Sequence, residues 1–230
     1  PAAGDIELRN AIANKLELQN NIKYDFENIL VTNGAKQAIY NLFQILLNEG
    51  DEVIIPSPYW LSYPQIVKLA GGKPIFLETS PKNGFKIDVE QLKEKISSKT
   101  KFIIINSPNN PTGKVLSENE LLEIIEIIRK HDQINILSDE IYELILKNKV
   151  NHIPVVSLAK DLEDRIYTVN GFAKGWAMTG WRVGYLAGRK EVIKASSSLQ
   201  SQSTSNVCSF VQKGAIEALK IKKEYFEEIN

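Results

Sequence analysis

Apolar residues fall into two regimes along this chain: short, nearly continuous runs, and longer stretches in which they recur every three or four positions. The runs are Glu52-Val53-Ile54-Ile55, Pro74-Ile75-Phe76-Leu77, Phe102-Ile103-Ile104-Ile105, Ile134-Asn135-Ile136-Leu137 and Arg165-Ile166-Tyr167-Thr168-Val169. Apolar character on successive positions, rich in β-branched residues, predicts strands buried on both faces. The periodic stretches predict helices that bury one stripe. One carries Ala35, Ala38, Ile39, Leu42, Phe43 and Leu46; another carries Leu121, Leu122, Ile124, Ile125 and Ile128 and is opened by Ser117 with Glu120 as a capping box. A last helical pattern runs from Ile216 to Asn230 without a turn signal. Strands and helices in alternation predict an α/β fold with a mostly parallel sheet covered by helices. No repeat, low-complexity tract or linker interrupts the pattern, so the chain reads as one large domain. Ligands of such sheets sit beyond the carboxyl ends of the strands.

Composition narrows the partners. The 230 residues are 43% hydrophobic and 24% charged, enough for a core of ordinary size. Twenty-eight Lys and Arg balance 28 Asp and Glu, so no net field draws the chain to nucleic acid or an anionic membrane, and small molecules are the expected partners. The single cysteine, Cys208, cannot form an internal disulfide, and no apolar run reaches the length of a membrane span or signal sequence. A cytoplasmic setting is expected. The only methionine is Met178 and residue 1 is a proline, so the chain is expected to be a fragment cut at both ends.

Candidate chemistry gathers at the predicted strand ends. Asp139 directly follows the run Ile134 to Ser138, where a buried carboxylate is costly unless a cation or donors compensate. Alone it reads as a helix cap or an ion pair; with the Tyr142 phenol three residues on, a partner for a protonated ring nitrogen is favoured. Val31-Thr32-Asn33-Gly34-Ala35-Lys36 opens a helix on small residues, leaving backbone N–H groups at the positive end of its dipole, where a phosphate would bind. It matches neither a Walker loop nor a dinucleotide fingerprint, and a plain turn is the default reading. Asn106-Ser107-Pro108-Asn109-Asn110-Pro111-Thr112-Gly113 is a stiff loop suited to holding one amide, Asn106 or Asn110, against a ligand. Pro56-Ser57-Pro58-Tyr59-Trp60 offers either core packing or a stacking face for a planar ring. Asn170 to Tyr185 is the most informative segment: Lys174 among small residues at a strand end is expected to lose solvation and serve as an amine nucleophile toward carbonyls, and Arg182 supplies a permanent cation for phosphate. No metal site is expected.

From Pro1-Ala2-Ala3-Gly4 to Ser201-Gln202-Ser203-Thr204-Ser205, and most specifically from Lys174 to Gly184, the sequence resembles the fold-type I, class I aminotransferases that use pyridoxal 5'-phosphate (PLP), nearest the bacterial aspartate or aspartate/prephenate branch. The resemblance implies a three-layer α/β/α large domain over residues 1–230, with a C-terminal small domain lying outside this chain. It implies that Lys174 holds PLP as a Schiff base and then moves the substrate α-proton, that Asp139 pairs with the pyridinium, and that Tyr142 and Asn110 hydrogen-bond the ring oxygen. Gly34, Ala35 and Lys36 would receive the phosphate, Arg182 clamp it and Trp60 stack on the ring. Ala173 departs from the serine many relatives carry before the lysine. The Asn110-Pro111 bond is expected to be cis. The substrate-carboxylate arginine of the small domain, and a tyrosine reaching the neighbouring subunit's phosphate, would fall outside residues 1–230, so weak PLP binding and slow turnover are expected of this chain alone. The implied reaction passes an amino group from an amino acid, aspartate favoured, to a 2-oxo acid such as 2-oxoglutarate, in a homodimer. The alternatives are a PLP-dependent lyase on the same fold, a PLP-sensing regulator and an inactive fragment.

Overall fold

In the computed structural model, which describes residues 1–147 and 150–229, the five predicted strands lie side by side in one sheet with two others. The elements in chain order are α1 (Ile6–Asn20), β1 (Ile29–Thr32), α2 (Ala35–Leu46), β2 (Glu52–Ser57), α3 (Ser62–Leu69), β3 (Lys73–Glu78), α4 (Val89–Lys95), β4 (Thr100–Asn106), α5 (Glu118–Arg129), β5 (Asn135–Asp139), α6 (Val155–Leu158), β6 (Ile166–Gly171), β7 (Gly184–Ala187), α7 (Lys190–Ser203), α8 (Ser209–Ala218) and α9 (Lys223–Ile229). The spatial order is β1-β7-β6-β5-β4-β2-β3. Adjacent strands from β3 through β6 pair in parallel, and β7 runs antiparallel to both β6 and β1.

Alternation along each strand sorts the core to the two faces of the sheet. Leu137, Ile104, Phe102 and Leu186 pack with Ile39, Phe43, Tyr63, Val67 and Ile193 from α2, α3 and α7. Ile136, Ile103 and Ile105 pack on the opposite face with Leu121, Ile124 and Ile128 of α5 and with Val155 and Val156 of α6. On that same face at the β1 end, Val31 and Tyr185 pack with Leu8, Ile12 and Leu16 of α1 and with Val211 and Ala215 of α8. Three layers, α/β/α, result. The capping box at α5 is present in both directions between Ser117 and Glu120.

Three expectations need correction. Gly184–Ala187 is a strand, although its first two residues read as the tail of the lysine-bearing segment; the partners that bury it, Ile29–Thr32 and Thr168–Gly171, are remote in sequence or across a loop. Asp139 is the last residue of β5 and not the residue beyond it. The expected helix from Ile216 is broken between α8 and α9, and Asn230 lies outside the described residues. At the break the Trp176 indole N–H donates to the Ala218 carbonyl at 2.9 Å, taking the acceptor that a continuing helix would offer to Lys222. The Asn110-Pro111 bond is cis, as are Ser57-Pro58 and Ser107-Pro108.

β6 and β7 form a hairpin whose base pairs Gly171 with Gly184. The two glycines touch so closely that a Cβ on Gly171 would lie 2.8 Å from the Gly184 Cα, and one on Gly184 would lie 2.6 Å from the Ala35 backbone nitrogen. The first turn of α2 therefore rests directly on the hairpin, with no side chain between.

Candidate active site

The ends of β1, β2, β4, β5 and β6 open onto one cleft of about 200 Å³ lined by Ala35, Lys36, Trp60, Tyr63, Asn106, Asn110, Asp139, Ile141, Tyr142, Ala173, Lys174, Thr179 and Arg182. Every sequence-predicted site residue lines it except Gly34, which is buried directly behind its wall as the N-cap of α2.

At the floor, Asp139 is 3% exposed. Its Oδ2 accepts a hydrogen bond from the Tyr63 hydroxyl at 2.6 Å and its Oδ1 one from the Ile141 N–H at 3.2 Å. Burial pushes this carboxyl up to about 6, against the two donors, and the neighbouring Glu140 charge adds to the rise. Asn106 and Asn110 divide the work that sequence alone left open between them. Asn106 donates to the Asp139 carbonyl at 3.0 Å and accepts from the Asn110 N–H at 2.8 Å, so it ties the loop to β5. The Asn110 amide instead faces the cleft and donates to the Tyr142 hydroxyl at 3.2 Å. Burial and the Asp139 charge raise the Tyr142 phenol.

At the opposite end, α2 starts at Gly34 with φ 81° and no side-chain cap. Arg182, itself at φ 54°, lays its guanidinium against this helix start: Nη1 donates to the Thr179 carbonyl at 2.9 Å, and a Cβ on Gly34 would lie 2.5 Å from Nη2. A cation and a helix N-terminus converge there, which suits a phosphate. The Lys36 ammonium stands 4.9 Å from the centroid of the Trp60 ring. Lys174 lies between the two ends, its ammonium 5.6 Å from the centroid of the Tyr142 ring. The expected desolvation of Lys174 is not found; it is exposed, because the loop after β6 carries it to the open side of the cleft.

This geometry fits PLP. A buried carboxylate held by neutral donors lacks the cation that a protonated pyridine nitrogen would supply, and the uncapped helix with Arg182 lacks the anion that a phosphate would supply. The family's sequence pattern, described as aminotransferase class I and II, matches residues 1–230. The chain belongs to the class I and II aminotransferases. Members of the family that this chain resembles include a protein named probable aspartate/prephenate aminotransferase from Rickettsia bellii, 52% identical over 212 residues, a match covering 92% of this chain and 53% of that relative. The aspartate aminotransferase of Bacillus subtilis is 49% identical over 229 residues, covering 100% of this chain and 58% of the relative. An aspartate aminotransferase from Thermus thermophilus solved with maleate superposes with a TM-score of 0.93 at 44% identity, covering 100% of this chain and 58% of that one. The chain thus spans just over half the length of these relatives. PLP is the cofactor of the family.

Two groups in this chain were not foreseen from the sequence. Tyr63 lines the cleft from the first turn of α3, and its spacing of three from Trp60 was the only available signal. Behind the floor, on the other face of the sheet, Lys15, Glu140, Glu143 and His152 form a buried charge cluster. Lys15 Nζ meets Glu143 Oε1 at 2.5 Å. His152 Nε2 lies 3.3 Å from Glu140 Oε2 without hydrogen-bond alignment, and Ser138 donates to Glu140 Oε1 at 2.8 Å. Burial acts against every charge here, but partners prevail: Glu140 is held below the usual carboxylate range by His152 and Ser138, His152 is raised by Glu140, and Lys15 is raised by Glu143. Ligand-type atoms of Glu140, Glu143 and His152 lie within 4.8 Å of one another, and the Lys15 ammonium already provides the cation they face. Among the described residues no helix is long and apolar enough to cross a membrane.

Proposed function

We propose that this chain is the PLP-binding large-domain portion of a transaminase that moves an amino group between an amino acid, aspartate favoured, and a 2-oxo acid such as 2-oxoglutarate. The observation that carries the reading is the buried Asp139 carboxylate at one end of a cleft whose other end is an uncapped helix start beside Arg182, with a free lysine amine between them. Aspartate is supported by the printed names of the relatives, and by the maleate, a dicarboxylate, in the Thermus structure. Those names also favour transfer over lyase chemistry. A homodimer in the cytoplasm is part of the same proposal and rests on the family resemblance.

Bound PLP supplies an electron sink for the carbanion left when a substrate α-proton departs. The residues of this chain do the rest. Lys174 would be the nucleophile that tethers the cofactor through its amine and, once displaced by substrate, the base that takes the α-proton and passes it to the C4′ carbon of the cofactor. Asp139 would keep the ring nitrogen protonated, as its burial among neutral donors equips it to do. Tyr142 and Asn110 would orient the ring oxygen, Trp60 would cover a ring face, and Ala35, Lys36 and Arg182 would anchor the phosphate, with Gly34 behind them as the N-cap of α2.

Borohydride trapping tests this. With PLP present, reduction is expected to fix the cofactor on the peptide containing Lys174 and to leave Lys174→Ala unlabelled. L-Aspartate added first should remove the label as PLP leaves in its amine form. If Lys174 is labelled but aspartate has no effect, the cofactor site stands and either the choice of donor or the sufficiency of this chain without its small domain fails; if Lys174 is never labelled, the reading is wrong.

A further inference from the structure

We propose that Tyr63 is a positioning residue for the cofactor, fixing the carboxylate that meets the ring nitrogen and the aromatic face that covers the ring as one unit. The proposal rests on the roles given above to Asp139 and Trp60. Three contacts carry it. The Tyr63 hydroxyl donates to Asp139 Oδ2 at 2.6 Å. The Tyr63 ring meets the Trp60 indole edge-on, at 5.3 Å between centroids and 88° between planes. The Tyr63 backbone N–H donates to the Trp60 carbonyl at 3.0 Å, so the two side chains are held one turn apart at the start of α3.

The phenol is the donor in this pair, because its burial and the adjacent Asp139 charge hold its proton well beyond the usual tyrosine range. It is also the only side-chain donor to Asp139 among the described residues; the other bond comes from the Ile141 backbone. Of the other ionisable groups, Glu140 repels the carboxyl and Tyr142 is itself raised by it, while Lys36, Lys174 and Arg182 line the same cleft without a hydrogen bond to the carboxylate. Tyr63 thus serves two ends. Its oxygen favours the ionised carboxylate that a pyridinium requires, and its ring sets the angle between that carboxylate and the Trp60 face. A phenylalanine would keep the packing and lose the first function.

The test uses the full-length enzyme and measures PLP affinity by fluorescence quenching, without amino donor, from about pH 5 to about pH 8, spanning the range in which a raised carboxyl titrates. Tyr63→Phe is expected to bind PLP roughly tenfold more weakly, and the acid limb of its affinity profile should move up by about one pH unit, because a hydrogen bond favouring the ionised form is gone. Titration of the cofactor phosphate is common to all variants and cancels in the comparison. Asp139→Asn is the control that separates the two ideas. If Asp139→Asn keeps the wild-type affinity and acid limb, the role of Asp139 itself is wrong. If Asp139→Asn loses affinity and its limb while the Tyr63→Phe limb coincides with wild type, Tyr63 only fills space and the proposal is overturned. Should Tyr63→Phe alone not fold, the pair Tyr63→Phe, Asp139→Asn, which buries no unpaired charge, is expected to recover folding; a pair no more stable than the single variant would overturn the coupling.

Discussion

Asp139 and Glu140 are consecutive, 3% and 1% exposed, and turned to opposite faces of the sheet, yet their carboxyls shift in opposite directions. Burial opposes ionisation in both. Glu140 meets His152 and a serine hydroxyl in a cluster that also holds the Lys15–Glu143 pair, and it stays charged. Asp139 meets a phenol and a backbone amide, and is pushed up to about 6. One carboxylate is thus matched by charged partners within the protein, and the other is held by neutral donors alone, which fits the protonated ring nitrogen proposed for it. A buried carboxylate is informative about ligands only after its partners have been counted.

The comparison can be broken most forcefully on the completed side. Glu143→Gln leaves the Lys15 ammonium buried without its carboxylate, and a loss of about 3–5 kcal/mol is expected in urea unfolding. A loss below about 1 kcal/mol would mean that the cluster is not held by its pairing. On the incomplete side the sign reverses. Asp139 ionises at about 6 in the folded protein against 3.8 as a free side chain, so burying its charge lowers stability progressively as pH rises between those values. In the PLP-free protein Asp139→Asn is expected to add about 2–3 kcal/mol near pH 8 and almost nothing near pH 3, while PLP affinity falls. A variant destabilised near pH 8 would place Asp139 with Glu140 as a structural charge. The smallest effect sharpens the comparison by pH alone. His152 is raised above its free value of 6.5 and Glu140 lowered below 4.5, so their mutual stabilisation is full between those two values. It fades as pH climbs through the folded histidine value or falls through the folded glutamate value. His152→Gln should cost about 1 kcal/mol near pH 5.5, with the difference from wild type shrinking on the alkaline side. A pH-independent difference would mean that the ring only packs.

These two regions were unequally legible in the sequence. Strands β2, β4, β5 and β6 announced themselves because burial on both faces removes the polar alternation that would otherwise blur a short run, and Asp139 stood out as the polar end of such a run; β3, expected to be buried in the same way, is an edge strand with Phe76 36% exposed. The lysine segment could be recognised because its spacing is local. Tyr63 and the charge cluster could not, since their meaning lies in contacts between distant positions: Tyr63 with Asp139, and Lys15 on α1 with Glu143 beyond β5. The break after α8 was invisible for the same reason, as no glycine or proline marks it and the indole that takes its carbonyl comes from Trp176.

The β6–β7 hairpin has one more implication. Its loop, residues 172–183, carries both Lys174 and Arg182, and the glycine pair at its base bears on the first turn of α2. The Lys174 amine and the Arg182 guanidinium are thus measured from a single origin, like marks on one ruler. Lengthening or shortening this loop is expected to displace the proposed tether and the proposed phosphate clamp together.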